Sequence, residues 1–186
     1  MPEVVTYLEM TSSDELNAAP SIPEVSIQRA HTGSPLIREL TERVGRPCGW
    51  RTVSWSDQKW AEFLANPDVQ AWLITHKDGR AGLQYLGLTM YQLHPATEVR
   101  TGAEVSTPAE VKTAAEVQIT HFGLVPEVIG RGLGGYALTV AIRTAWTLIP
   151  GADRVWLHTS TLDHPNALPN YQKRGFRPYH SYIREP

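Results

Sequence analysis

Four glycines, Gly130, Gly132, Gly134 and Gly135, crowd one turn between Phe122-Gly-Leu-Val-Pro126 and a long apolar run. Glycine lets the backbone approach a ligand closely and adopt positive φ without steric cost. The free N–H groups at a helix start, together with the helix dipole, form an anion site. A strand, a glycine turn and a helix in that order therefore predict a cradle for a phosphate or diphosphate. A dinucleotide fingerprint is the competing reading. Gly130, Gly132 and Gly134 fit its opening, but Tyr136 and Ala137 follow, and Asp153 precedes a strand where the acidic residue should close one.

Other residue types narrow the chemistry. His121, His158 and His164 have ordinary pKa values suited to proton transfer, but no histidine pair has metal-ligand spacing, so no metal is expected. The single cysteine, Cys48, excludes an internal disulfide framework and any multi-cysteine zinc site. It is far in sequence from the glycine turn and is not proposed as a nucleophile. The chain has 186 residues, 41% hydrophobic and 19% charged, with a net charge of −2. That composition fits one globular domain, and the charge does not suggest a nucleic-acid surface. No apolar run reaches the ~20 residues of a membrane span, and the start of the chain lacks a basic region followed by an apolar core. A soluble cytoplasmic protein is expected, with neither nucleic acid nor membrane as partner.

The elements that must hold the turn follow from periodicity. Residues 1–24 are polar and proline-punctuated and read as a flexible arm, leaving 25–186 as a single domain. Ser26 to Ala30 reads as a first strand. Ser34 and Pro35 open a helix as cap and first residue, with Leu36, Ile37, Leu40 and Val44 at helical spacing. Ser56 to Leu64 is a second helix, closed by Asn66-Pro67, and Trp60 and Phe63 on it are expected in the core. Residues 69–75 and 82–91 read as strands joined by a turn, 117–124 and 154–159 as further strands, and 176–183 as the last. Gly134 to Leu148 is a helix, and Leu168 to Arg174 a short one ending at Gly175. Strands with helices inserted and few strict βαβ units predict a mixed α/β sheet.

One segment breaks this pattern. Thr97-Glu-Val-Arg-Thr, Ala103-Glu-Val-Ser-Thr, Ala109-Glu-Val-Lys-Thr and Ala115-Glu-Val-Gln recur every six residues. In an extended chain this period puts the glutamates on one face and the valines on the other. A duplicated loop, or a hairpin reaching a partner subunit, accounts for an insert at 97–115; a β-helix would need longer stacking.

Taken together, the residues resemble the GNAT superfamily of coenzyme A-dependent N-acetyltransferases. Leu124-Val-Pro126 is similar to the family's turn, and Gly132-Leu-Gly134 to the glycine pair of its signature, with Ile129 at the signature's first position. Tyr171-Gln-Lys-Arg-Gly-Phe176 looks like the family's tyrosine, three residues, glycine-phenylalanine ending, and Ala167 stands four residues before the tyrosine as the family has it. Where the family has asparagine, three residues before that alanine, this chain has His164, with Asn166 nearby. The likeness is specific over about residues 116–180.

The resemblance implies a GNAT-like acyl-CoA N-acyltransferase fold, α+β, whose central sheet splays apart and is flanked by helices. Phe122, Leu124 and Val125 would contact the pantetheine and thioester, and an N–H of Leu124 or Val125 would steady the oxyanion. Gly130, Arg131, Gly132, Gly134 and Gly135 would cradle the pyrophosphate of acetyl-CoA, with Asn166 nearby. Tyr171 would be the acid for the leaving thiolate. The family's glutamate base falls on Gln118, which takes no proton, so Glu116, two residues earlier on the same face, a histidine or water remain as bases. His121 is expected to face away from Gln118, into the core. Trp50, Arg51 and Trp55 lie where the family builds its acceptor pocket, and Arg51 suits a carboxylate. The implied activity is direct transfer of an acetyl group to a small-molecule amine (an amino acid, a metabolite or an antibiotic). A coenzyme A-binding sensor or an assembly module is the alternative, and a homodimer is the assembly that family habit allows.

Overall fold

The computed structural model describes residues 2–79, 82–100, 110–112 and 114–185. Its strands are β1 (Glu3–Met10), β2 (Val25–Arg29), β3 (Val69–Asp78), β4 (Gly82–His94), β5 (Glu98–Arg100), β6 (Glu110–Lys112), β7 (Glu116–Leu124), β8 (Arg154–Ser160) and β9 (Arg177–Arg184). The helices are α1 (Pro35–Gly45), α2 (Asp57–Ala65), α3 (Gly134–Leu148) and α4 (Ala167–Lys173). Seven strands form one sheet in the order β2-β3-β4-β7-β8-β1-β9. All its pairs are antiparallel except β7 with β8, which run parallel through the α3 crossover.

Alternation along β4 divides the core. Leu86, Leu88 and Met90 join a cluster with Ile37, Leu40 and Val44 of α1 and Trp60 of α2. Tyr91 points the other way, into a cluster with Leu138 and Ile142 of α3, Val155 and Leu157 of β8, and Tyr171. Helices thus cover both faces of the sheet. Pro35 opens α1 as expected, but Ser34 makes no side-chain capping bond; Ser56 does cap α2, accepting from the Lys59 N–H at 3.2 Å.

Residues 3–10 are not a loose arm. They form β1, an inner strand that pairs with β8 on one side and β9 on the other, and Val5, Leu8 and Met10 are completely buried. Val4, Val5, Thr6 and Tyr7 are residues that strands favour, and the partners that order them lie about 150 residues later in the chain. Residues 11–22 then cross the start of α3 and the end of α4 as a strap. The Asn17 N–H donates to the Arg174 carbonyl at 3.0 Å, and the Ala19 N–H to Thr139 Oγ1 at 3.0 Å. Within the repeat, β5 pairs antiparallel with β6, Val99 opposite Val111, as the base of a hairpin. The intervening repeat residues fall outside the described residues.

The sheet's decisive feature lies between β7 and β8. Their pairing runs only from Glu116 opposite Arg154 to Ile119 opposite Leu157. At that point Thr120 is an extra residue against β4: Tyr91 opposes Ile119, but Met90 opposes His121. Such a bulge bends its strand, and β7 continues beside β4 to Leu124 while β8 follows β1. The two parallel strands separate and a gap opens between them. Beyond the bulge β4 and β7 lie very close, since a Cβ on Gly87 would sit 2.0 Å from the Gly123 carbonyl oxygen and 2.8 Å from Leu124 Cα. Gly87→Ala is therefore expected to lower the unfolding free energy by about 3 kcal/mol, seen as a lower urea midpoint at unchanged slope. An unchanged midpoint would contradict this close approach.

Candidate active site

The glycine turn closes one end of the gap. Val125, 2% exposed, gives its N–H to the Leu86 carbonyl at 2.7 Å. Neighbouring amides of a strand point to opposite sides, so the Leu124 N–H faces the open gap. The Val125 amide is committed to the sheet and cannot serve an oxyanion, which leaves Leu124 alone in that expectation. One 3-10 turn, Pro126–Val128, leads to Gly130 and Gly132 at φ 82° and 77°, with open space where each Cβ would lie. The first backbone bond of α3 runs from the Ala137 N–H to the Leu133 carbonyl at 2.9 Å. The N–H groups of Gly134, Gly135 and Tyr136 precede it and are free to meet an anion.

A cleft of about 1130 Å³ occupies the gap and reaches this turn. Gly130, Gly132, Gly134 and Gly135 line it at one end, with Phe122 and Leu124 along the strand and Asn166 beyond. Tyr171, Gln118, Trp50, Arg51 and Trp55 also line it. Three expected residues do not reach it. Val125 is in the core, and Arg131 is exposed outside the cleft. Glu116 shares a face with Gln118 but lies one strand repeat, about 7 Å, nearer the strand's start. There Arg154 holds it at 3.6 Å while also pairing with Glu9 at 3.2 Å. Glu116 is thus no base for this cleft.

The bulge at Thr120 reverses the expectation for His121, which comes to the same side as Gln118 and lines the cleft. One ring nitrogen lies 3.1 Å from Thr120 Oγ1 and the other 3.3 Å from Thr52 Oγ1. Trp50 meets the ring edge-on at 5.1 Å and Phe63 at 6.3 Å. Burial takes the His121 pKa down to about 3, with the nearby His158 adding to the effect. His158 projects into the cleft from β8 beside Tyr7, and desolvation by the surroundings lowers its pKa too. Tyr171 behaves oppositely: it is 8% exposed, packs edge-on against Phe122 and Phe176, and burial raises its phenol well above the usual range, helped by Asp163 and Cys48. Both imidazoles are therefore neutral and the phenol protonated at neutral pH.

Trp60 is buried and Phe63 packs against the same core cluster, as expected, while Phe63 with Trp55 also lines the cleft. Cys48, distant in sequence, lines the same cleft, and burial raises its thiol pKa. Asp163 is the residue that sequence reasoning missed. One of its oxygens accepts from the Trp50 indole N–H at 3.1 Å, the other from Thr159 Oγ1 at 2.6 Å and the Ser160 N–H at 3.0 Å. The carboxylate ties the loop after α1 to the end of β8 across the cleft. Among the described residues no group of three or more His, Cys, Asp and Glu converges, and no helix is long and apolar enough to cross a membrane.

Neither a family model nor a curated protein matches the sequence. Solved structures do match the fold. A GCN5-related N-acetyltransferase from Sphaerobacter thermophilus superposes with a TM-score of 0.62 at 16% identity, over 98% of this chain and 50% of that one. A tandem GNAT protein from the clavulanic acid biosynthesis pathway gives 0.55 at 15% identity, over 98% and 51%. An aminoglycoside acetyltransferase from an uncultured soil metagenomic sample gives 0.54 at 12% identity, over 81% and 87%. The chain thus spans about half the length of the first two structures.

The burial of His121 sets an acid limit on the fold. Its pKa is about 3 when folded and ~6.5 when unfolded. Between these values the unfolded chain binds a proton that the folded chain refuses. Stability therefore rises with pH across this window and is lost on acidification, by about 1.4 kcal/mol per pH unit. His121→Asn is expected to flatten the dependence of the urea midpoint on pH between 6.5 and 4.5. A slope as steep as that of the parent chain would show that another group causes it.

Proposed function

We propose that this chain, which has the fold of the GCN5-related N-acetyltransferases, moves an acetyl group from acetyl-CoA to the amine of a small molecule. The observation that carries the reading is the gap between β7 and β8, which ends at a turn of free amides and is flanked by a protonated phenol and a neutral imidazole. The residues present fit the carrier. The cleft, about 1130 Å³, has room for an extended arm, the amides of Gly134, Gly135 and Tyr136 suit a diphosphate, and the outward Leu124 N–H suits a carbonyl oxygen.

In this reading the acceptor enters past Trp50, Arg51 and Trp55, whose rings and guanidinium suit a partly apolar amine carrying a carboxylate. One structural neighbour is an aminoglycoside acetyltransferase, which supports a small-molecule amine. His158 takes a proton from the amine as the nitrogen bonds to the acyl carbon. The Leu124 N–H steadies the negative oxygen that forms. Tyr171 gives its proton to the sulfur as the carbon–sulfur bond breaks. Transfer is direct, with no covalent enzyme intermediate, and Cys48 with its raised pKa stays a thiol. The second reading, a coenzyme A-binding sensor, draws on Gln118 at the position of the family's base and on the tethering of both His121 nitrogens.

Calorimetric titration with acetyl-CoA, NADH and NADPH tests the carrier first; binding of acetyl-CoA alone is expected. Thiol release is then followed across a panel of amines. Tyr171→Phe should lower kcat about 100-fold while leaving acetyl-CoA affinity intact, and Glu116→Gln should change neither. The acid limb of kcat/KM should lie below pH 6.5, because the base must be deprotonated and the His158 pKa is lowered, and His158→Ala should abolish that limb. Tight acetyl-CoA binding without turnover on any amine would favour the sensor.

A further inference from the structure

Arg174, 5% exposed, is the one charged side chain in the buried set of the described residues. Its Nε is buried without a hydrogen-bond partner, and no ion pair among the described residues reaches its guanidinium. The side chain reaches from the end of α4 to the first turn of α3. A Cβ on Gly135 would lie 3.3 Å from Arg174 Nη1, 3.4 Å from Ala19 Cβ and 3.9 Å from Asn170 Oδ1. The strap residue Ala19 and the guanidinium thus both pack against Gly135, and Asn170 is fixed at the same place, its amide donating to the Gly134 carbonyl at 3.3 Å.

This placement is electrostatically adverse for the chain alone. The start of a helix already carries a partial positive charge, and a guanidinium with no carboxylate beside it and its Nε buried without a hydrogen bond is unfavourable there. Here both meet behind Gly134 and Gly135, whose amides open onto the cleft. An anion seated on those amides removes the conflict. We propose that Arg174 is a positioning residue for a diphosphate group at the start of α3, acting from behind Gly135 through its field on the amides that hold the anion. Assigning that diphosphate to coenzyme A rests on the acyltransferase reading; the anion site does not.

The test uses the full chain with Arg174→Met, which keeps the bulk and removes the charge, and Arg174→Lys, which keeps the charge. Inorganic diphosphate should raise the Tm of the parent chain and of Arg174→Lys but not of Arg174→Met. Arg174→Met should bind coenzyme A and dephospho-coenzyme A at least 10-fold more weakly and pantetheine, which has no phosphate, as the parent does. A merely structural role would not produce that split. Without ligand, Arg174→Met should melt no lower than the parent. Unchanged coenzyme A affinity in folded Arg174→Met would overturn the proposal, and so would a loss confined to coenzyme A and absent with dephospho-coenzyme A. If Arg174→Met fails to fold, the parent chain decides: no Tm shift with inorganic diphosphate overturns the site. A parent chain that binds diphosphate but not acetyl-CoA would leave the site standing and sink the acyltransferase reading.

Discussion

The early end of the β7–β8 pairing is the constraint on which the site depends. Two parallel strands that paired along their whole length would leave no gap, and the glycine turn would abut a closed sheet. The single extra residue at Thr120 bends β7 toward β4 and leaves the outward amide of Leu124 without a strand partner. Unpaired amides inside a fold are unfavourable, so the gap invites an extended ligand to replace the absent strand. Gly87 makes the bend sterically feasible, because only glycine lets β4 approach β7 so closely beyond it, and Gly123 leaves room on the other side for Val44 of α1.

A gap between strands needs something to hold its two sides in register, and Asp163 supplies it. With one oxygen on the Trp50 indole and the other on Thr159 and Ser160, it joins the loop after α1 to the end of β8. Trp50 packs directly on Gly45, where a Cβ would lie 2.7 Å from its ring, and reaches Gly123. The wall of the cleft that Trp50 forms is thereby tied to β8. On the proposed reading, such a tie limits how far the two substrates can drift from attacking distance.

Much of this was legible in the sequence wherever the signal was local. The apolar spacing of α1 and α2, the limits of α3 at Gly134 and Leu148, and the glycine turn all follow from residues within a few positions of each other. What escaped depended on distant partners. β1 looked like a loose arm because β8 and β9, which order it, come about 150 residues later. Asp163 sits in Leu162-Asp-His-Pro165 and reads as a turn residue, since its indole donor lies 113 positions away. The bulge at Thr120 has no local signature, and a one-residue shift reverses every later side chain; His121 was assigned to the wrong face for that reason. Glu116 lay on the right face, but which strand end the cleft opens at is set by the sheet topology.

Four titratable groups that line the gap shift toward neutrality. His121 and His158 are lowered, Tyr171 and Cys48 are raised, and desolvation is the leading cause in all four. Asp163 and Glu3, the carboxylates in the lining of the gap, work against this at His158 without overcoming it. A gap that disfavours charge on each of these groups disfavours an ammonium ion in the same place. An ordinary alkyl amine, with a pKa near 10.4, is almost wholly protonated in water at pH 7 and cannot attack in that form. Entering such a gap lowers that pKa by the same physics that lowers His158, so part of the deprotonation comes from the medium. On the proposed acyltransferase reading, glutamine rather than a carboxylate at Gln118 is then no defect, because a further negative charge there would stabilise the ammonium form, which cannot attack.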